Sequence, residues 1–213
     1  IYLGQKISEK RINLLKINSF FNNKKKFIIK DNVNHKKIAN LLAKGKIIAV
    51  ARGREEFGAR ALGNRSILAH PHKNGIVQNI NEQIKNRDFW MPFALTVLKK
   101  YHKKFINNNK SIDCNFMTVG FDTKAEKYNL IKNGTPPYDK SVRPQILEKD
   151  FNNKYHSLLT EFYKITKVPA LLNTSLNLHG FPISSTLKDV VNTFKNSGLG
   201  YLYLEDKYLI VKK

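Results

Sequence analysis

Sulfur is scarce in this chain of 213 residues, which holds one cysteine and two methionines. A lone Cys114 excludes an internal disulfide, and its apolar surroundings, CNFMTVGF, suit a packed thiol in a reducing cytosol. Tryptophan occurs once, so Phe and Tyr must supply the aromatic part of the core. There is no run of about 18 apolar residues and no signal-peptide pattern, so neither a membrane span nor a membrane partner is expected. Acidic residues are outnumbered 16 to 38 by basic ones, giving a formal charge of +22. Such a field favours anionic partners. The excess, however, is lysine spread along the chain among many asparagines, the pattern of compositional drift rather than of selection for one polyanion.

Arginine is also scarce, and its placement is uneven. Seven of the 38 basic residues are arginine, and four of them (Arg52, Arg54, Arg60 and Arg65) lie in or beside GREEFGARALGNRSIL, residues 53–68. Arg87 sits in KNRDFWMP and Arg143 in DKSVRPQ, leaving only Arg11 outside these stretches. A guanidinium is a planar fork that binds phosphate or carboxylate through two bonds and stays charged when buried, whereas an ammonium is a point charge. Where lysine serves elsewhere, a retained arginine marks a position at which lysine fails.

What is present reads as alternating helices and strands. HKKIANLLAKG (35–45) is an amphipathic helix with a glycine stop, and IIAVA (47–51) a buried strand. Helices are predicted over 6–16, 76–86, 151–167 and 186–198, the last opening on a capping box formed by Thr186 and Asp189. Strands are predicted over 27–30, 94–98, 115–121 and 169–173, with two more in 201–213 joined at Glu205-Asp206. The pattern predicts an α/β domain built on an open, twisted mixed sheet with flanking helices. The one plausible boundary falls before residue 35, giving an N-terminal arm over 1–34 and the domain proper over 35–213.

Three stretches carry candidate chemistry. Gly53, Gly58 and Gly63 with the arginines suit an anion-binding loop after a buried strand, although a loop in which Glu55 and Glu56 pair with those arginines is equally open. The GxxxxGK[ST] spacing is absent. LLNTSLN (171–177) offers small hydroxyl and amide groups at a strand end, or an ordinary turn. Asp139, Ser141, Arg143 and Gln145 alternate, so an extended backbone turns all four to one face. His70 and His72 lack a third ligand and read as surface histidines, so no metal site is assigned. No nucleophile triad is evident, which leaves chemistry that positions and neutralises phosphates.

In this order, GREEFGARALGNRSIL, NEQIKNRDFWMPFA, YDKSVRPQ, VPALLNTSLNLHGFPI and EDKYLIVKK resemble the C-terminal, YrdC-like domain of the O-carbamoyltransferase family (NodU/CmcH type) of nodulation-factor and antibiotic biosynthesis. The likeness runs from about residue 47 to the end, and YLGQ (2–5) resembles the family's link into that domain. The resemblance implies that such a domain makes carbamoyl-adenylate from carbamoyl phosphate and ATP, with Mg2+. It also implies an N-terminal, actin-like-ATPase-type domain that passes the carbamoyl group to an acceptor hydroxyl. Carried over by position, Arg60, Lys85 and Arg143 match the motif cations expected to be catalytic. Arg54, Arg65, Arg87, Ser141, Asn173 and Ser175 are the expected substrate and nucleotide contacts. The sequence departs from the family at Ala59, Asp88, Lys140 and Met91. Met91 replaces an arginine, for which Lys99 and Lys100 are the nearby substitutes. The opening Ile1 points to a piece of a longer protein or one member of a split pair. Two other classes stay open: a basic nucleic-acid-binding module, disfavoured because aromatics are not interleaved with the arginines, and an inactive assembly partner.

Overall fold

The three longest α-helices and the central strands follow from the apolar pattern. Asn34 caps α2 (His35–Ala43) by accepting the Lys37 N–H, and Ile38, Ala39 and Leu42 turn inward. Asn152 caps α4 (Asn153–Thr166), which buries Tyr155, Leu158, Leu159 and Phe162 and packs against α2. The capping box at Thr186 and Asp189 forms as expected and opens α5 (Leu187–Asn196). This is a computed structural model that describes residues 1–8, 12–86, 91–136 and 138–213.

Eight strands form one mixed sheet. In chain order they are β1 (Phe27–Lys30), β2 (Ile48–Ala51), β3 (Arg65–Ala69), β4 (Ala94–Leu98), β7 (Pro144–Leu147), β8 (Ala170–Ser175), β9 (Tyr201–Leu204) and β10 (Tyr208–Lys212). The spatial order is β1-β10-β9-β2-β3-β8-β4-β7, with β9/β2 and β4/β7 parallel and the remaining pairs antiparallel. β5 (Phe121–Asp122) and β6 (Ser141–Val142) pair separately. The registers Ala51↔Arg65, Ser66↔Ser175, Ala94↔Asn173 and Leu95↔Pro144 bring the end of β2, the start of β3, the end of β8 and the starts of β4 and β7 to one edge of the layer.

Several predicted elements differ. Described residues of the expected arm, 1–34, join the main sheet and its core. β1 is the outermost strand of the main sheet, Ile7, Ile12, Ile17, Phe21 and Val33 are core, and Ile7 N–H donates to Gly53 O. The helix expected at 6–16 falls at α1 (Leu14–Phe20), where Asn13 caps it. The helix expected over 76–86 divides into α3 (Ile76–Ile80) and a π-turn (Asn81–Lys85). NFMTVGF is mostly irregular: Met117 has φ 58, which no strand tolerates, and Ile146 N–H donates to Cys114 O. β3 was concealed because its first residue is an arginine.

That arginine fastens the loop between β2 and β3. Arg65 is wholly buried and donates to five carbonyls: Arg52 (2.6 Å), Asn64 (3.0 Å), Ser185 (3.0 Å), Gly53 (3.2 Å) and Gln5 (3.4 Å). Burial pushes its pKa down, while Glu56, Glu55 and Glu205 pull it up. Glu56 complements it from the other side, its Oε1 accepting the N–H groups of Leu62 (2.7 Å), Asn64 (2.7 Å) and Arg65 (3.1 Å). Gly63, at φ 113, passes so close to Tyr155 that an added Cβ would lie 2.3 Å from its ring. Arg52 instead pairs with Asp206 at 2.8 Å, and His35 meets the same carboxylate at 3.0 Å. Burial raises the Asp206 carboxyl, but Arg52 and then His35 outweigh it and hold it below its ordinary range.

His70 is a second correction. It is 3 % exposed, set between Phe162 and His72, and not a surface histidine. Burial, then His72 and Lys73, pushes its pKa down to about 4.

Two outcomes follow. A lysine at position 65 has one compact head and three donors, so Arg65→Lys leaves buried carbonyls unpaired. It should cost about 2–4 kcal/mol in denaturant unfolding, and an unchanged midpoint would contradict the role given to the fork. His70 resists protonation when folded, so its contribution is complete above its unfolded value near 6.5 and is lost as pH falls toward about 4. Up to roughly 3 kcal/mol of stability should disappear across that window. In His70→Gln the decline should be visibly shallower, and an identical slope would exclude His70 as its source.

Candidate functional site

The strand ends gathered at one edge of the sheet surround a cleft of about 110 Å³. By the measure that allots one water roughly 10–15 Å³, this is room for on the order of eight water-sized groups. Ala59, Arg60 and Ala61 come from the loop before β3, and Pro92, Phe93 and Ala94 from the entry to β4. Asn173, Thr174 and Ser175 end β8, while Ser141, Val142 and Arg143 span the step from β6 to β7. Met117, Gly134 and Pro136 close the remainder.

Arg60 and Arg143, 83 positions apart in sequence, therefore meet at one cleft. Both are exposed, and among the described residues neither guanidinium has a hydrogen-bond or ion-pair partner. Among the described residues no carboxylate lines the cleft. The acids that might have neutralised Arg60 are committed elsewhere: Glu56 to backbone N–H groups, and Glu55 to the Ser185 hydroxyl. Two uncompensated guanidinium forks at a concave site favour a small, multiply charged anion.

Lys85 stands behind the cleft wall. It is 2 % exposed, and its Nζ donates to Ser175 Oγ (3.1 Å) and Asn177 Oδ1 (2.7 Å). Ser175 in turn donates to Asn177 Oδ1 at 2.6 Å. Asn177 is fixed by donating its Nδ2 protons to the carbonyls of Leu178 and Phe181. The buried ammonium thus reaches the cleft through Ser175.

The floor is a directional chain of hydrogen bonds. Gln145 Nε2 donates to Leu62 O (3.1 Å), Thr96 Oγ1 to Gln145 Oε1 (2.9 Å), and Asn173 Nδ2 to Thr96 Oγ1 and Ala61 O (3.1 Å each). Two carbonyls set its direction, which fixes the amide orientations. Asn173 Oδ1 is left buried without a partner.

Of the nine candidate residues, Arg60, Arg143, Ser141, Asn173 and Ser175 line the cleft, and Lys85 contacts it through Ser175. Arg65 does not, since its guanidinium is wholly committed to carbonyls. Arg54 is exposed and donates to Gly4 O at 3.0 Å, tying the first residues to the loop instead of facing the cleft. Arg87 lies outside the described residues. The alternation of Asp139, Ser141, Arg143 and Gln145 breaks at Arg143, where the chain leaves β6 for β7. Asp139 accepts the Ser141 N–H, and Gln145 is buried in the floor. Lys99 and Lys100, named as substitutes near Met91, are not among the described cleft-lining residues: Lys99 pairs with Glu148 at 2.6 Å, and Lys100 is exposed beside the Tyr101 ring. Asn177 was missed, although it closes the LLNTSLN stretch two residues beyond Ser175, a spacing that a strand end can return to one side. Among the described residues no group of three or more His, Cys, Asp and Glu gathers to hold a metal. No helix among them is long and apolar enough to cross a membrane.

The family model "Carbamoyltransferase C-terminus" matches residues 39–212. An uncharacterized protein of Methanocaldococcus jannaschii is 35% identical over 99% of this chain and 44% of its own length. Nodulation protein NolNO of Sinorhizobium fredii is 36% identical over 82% of this chain and 26% of its own. A 3'-hydroxymethylcephem-O-carbamoyltransferase of Amycolatopsis lactamdurans is 29% identical over 83% and 33%. The chain thus spans less than half the length of these curated relatives. Full-length HypF, solved in its phosphate- and nucleotide-bound form, superposes with a TM-score of 0.56 at 16% identity, covering 81% of this chain and 21% of that one. The mixed sheet, the residues at its edge and these matches agree: the chain belongs to the carbamoyltransferase C-terminus family and has a YrdC-like fold.

Proposed function

We propose that this domain binds carbamoyl phosphate in the Arg60–Arg143 cleft and, with ATP, forms carbamoyl-adenylate. The observation that carries the reading is the pair of guanidinium groups that, among the described residues, have no partner and share a cleft lined by no carboxylate. Carbamoyl phosphate has eight non-hydrogen atoms, which suits the volume. ATP is larger than the cleft, so only part of it enters, and the remainder lies over the exposed rim. Phosphate and nucleotide are both bound by HypF, which shares this fold. Mg2+ would be held chiefly by the nucleotide's own phosphates, as is usual for that ion and as the absence of a described acidic cluster suggests.

Atoms balance if one water is consumed. Carbamoyl phosphate gives carbamate and phosphate. A carbamate oxygen then attacks the α-phosphorus of ATP and pyrophosphate leaves. The first step leaves two anions in one site and the second brings carbamate against ATP, so the contribution required of the chain is neutralisation and alignment. Arg60 and Arg143 would each take phosphate oxygens through two donors. Lys85 would add a buried positive charge transmitted by Ser175, and Ser141 would complete the wall. Transfer of the carbamoyl group to an acceptor hydroxyl would belong to the additional length that the relatives possess. A cytoplasmic setting, where both substrates are made and consumed, fits this chemistry.

Isothermal titration with carbamoyl phosphate tests the reading. Arg60→Ala and Arg143→Ala should each weaken binding by about ten- to a hundredfold, the loss of one charge-assisted contact. Affinity unchanged in both variants would remove the site.

A further inference from the structure

The first residues of the chain have no part in the chemistry above, yet they lie along the loop that bears Arg60. Residues 1–7 run antiparallel to 53–57. Phe57 N–H donates to Ile1 O (2.7 Å), Gly4 N–H to Glu55 O (3.1 Å), Glu55 N–H to Gln5 O (2.9 Å) and Ile7 N–H to Gly53 O (2.9 Å). The approach is so close that a Cβ on Gly4 would lie 2.8 Å from Glu55 Cβ. Arg54 and Arg65 add a donor each, to Gly4 O and Gln5 O. One side chain of this strap reaches past the residues it pairs with. Tyr2 sits edge-on to Phe151, ring centroids 5.9 Å apart, and its hydroxyl donates to Leu62 O at 2.8 Å. Burial pushes the phenol above its ordinary range, so it stays a donor.

Leu62 is thereby held through both its main-chain groups. Its N–H donates to Glu56 Oε1 (2.7 Å), and its carbonyl, with two lone pairs, accepts from Tyr2 and from Gln145 Nε2 (3.1 Å). The carbonyl of Ala61 is taken by Asn173 Nδ2. Arg60 directly precedes these two fixed residues, and among the described residues its guanidinium has no partner of its own. Where the fork points therefore depends on backbone that Leu62 anchors.

We infer that Tyr2 is a positioning residue for Arg60: by fixing the Leu62 carbonyl it aligns that guanidinium with Arg143 for a shared phosphate. The inference rests on the carbamoyl phosphate reading above and deepens it. A planar fork must be aligned before both of its donors reach one phosphate, whereas an ammonium on a flexible stem adapts to the anion. Alignment that exists before the ligand arrives does not have to be drawn from the binding free energy. The strap also makes the cleft sensitive to any displacement of residues 1–7, because Gly4 leaves no slack against Glu55.

Titration with carbamoyl phosphate in two backgrounds decides the matter. With Arg60 in place, Tyr2→Phe keeps the ring, deletes the hydroxyl and should weaken binding about three- to tenfold, the range of one neutral hydrogen bond. In an Arg60→Lys background the same change should cost no more than about twofold, because the second substitution acts through the group already replaced. Leu3→Ala, at an exposed position of the same strap, should bind as the parent does. Unchanged affinity in Tyr2→Phe, whatever its unfolding midpoint, or an equal loss in both backgrounds, overturns the inference and leaves Tyr2 a structural role only, with the anion site still standing. Failure of the unsubstituted protein to bind carbamoyl phosphate would remove the anion site itself, and this inference with it.

Discussion

Everything at the candidate site depends on how the loop between β2 and β3 is held, and two side chains hold it. Arg65 gathers carbonyls from five residues, and one oxygen of Glu56 gathers three N–H groups. Each satisfies main-chain groups that the irregular loop cannot pair within itself. A charged group buried in this way is stable because several hydrogen bonds replace its water. The consequence is indirect but decisive for function. With Glu56 committed to the backbone and Arg65 to carbonyls, Arg60 is left at the cleft with no counter-ion among the described residues.

The same logic extends to the strand ends. Registers between β3, β8, β4 and β7 put Asn173, Ser175 and Arg143 at the same edge of the sheet as Arg60. The floor is rigid because its hydrogen bonds run in one direction from Leu62 O to Asn173, each fixing the next. Leu62 and Ala61 belong to the very loop that Glu56 orders. The framework and the floor are therefore joined, and disturbing the loop would disturb Asn173 as well as Arg60.

Much of this was legible in the sequence, for identifiable reasons. IIAVA reads as a strand because both faces of β2 are buried and nothing interrupts the apolar run. The arginines stood out because lysine is used almost everywhere else. What composition could not supply was the division of labour among them. Arg52 meets a carboxylate, Arg54 and Arg65 meet carbonyls, and Arg60 meets none of these, yet the four are chemically identical in sequence. The partners of Arg65 come from residues 5, 52, 53, 64 and 185, a set no local pattern specifies. Gln145 was misplaced for a related reason. Alternation assumes one continuous strand, but the chain changes partners at Arg143, from β5 on one side to β4 on the other. His70 was read as a surface histidine for want of a third metal ligand, whereas Phe162, 92 residues away, packs against it.

The most direct test is a crystal structure of the protein with carbamoyl phosphate bound. The phosphate should lie between Arg60 and Arg143, within hydrogen-bonding distance of both guanidinium groups. A phosphate held by only one of the two arginines, or bound elsewhere on the sheet, would contradict the convergence on which the proposed chemistry rests.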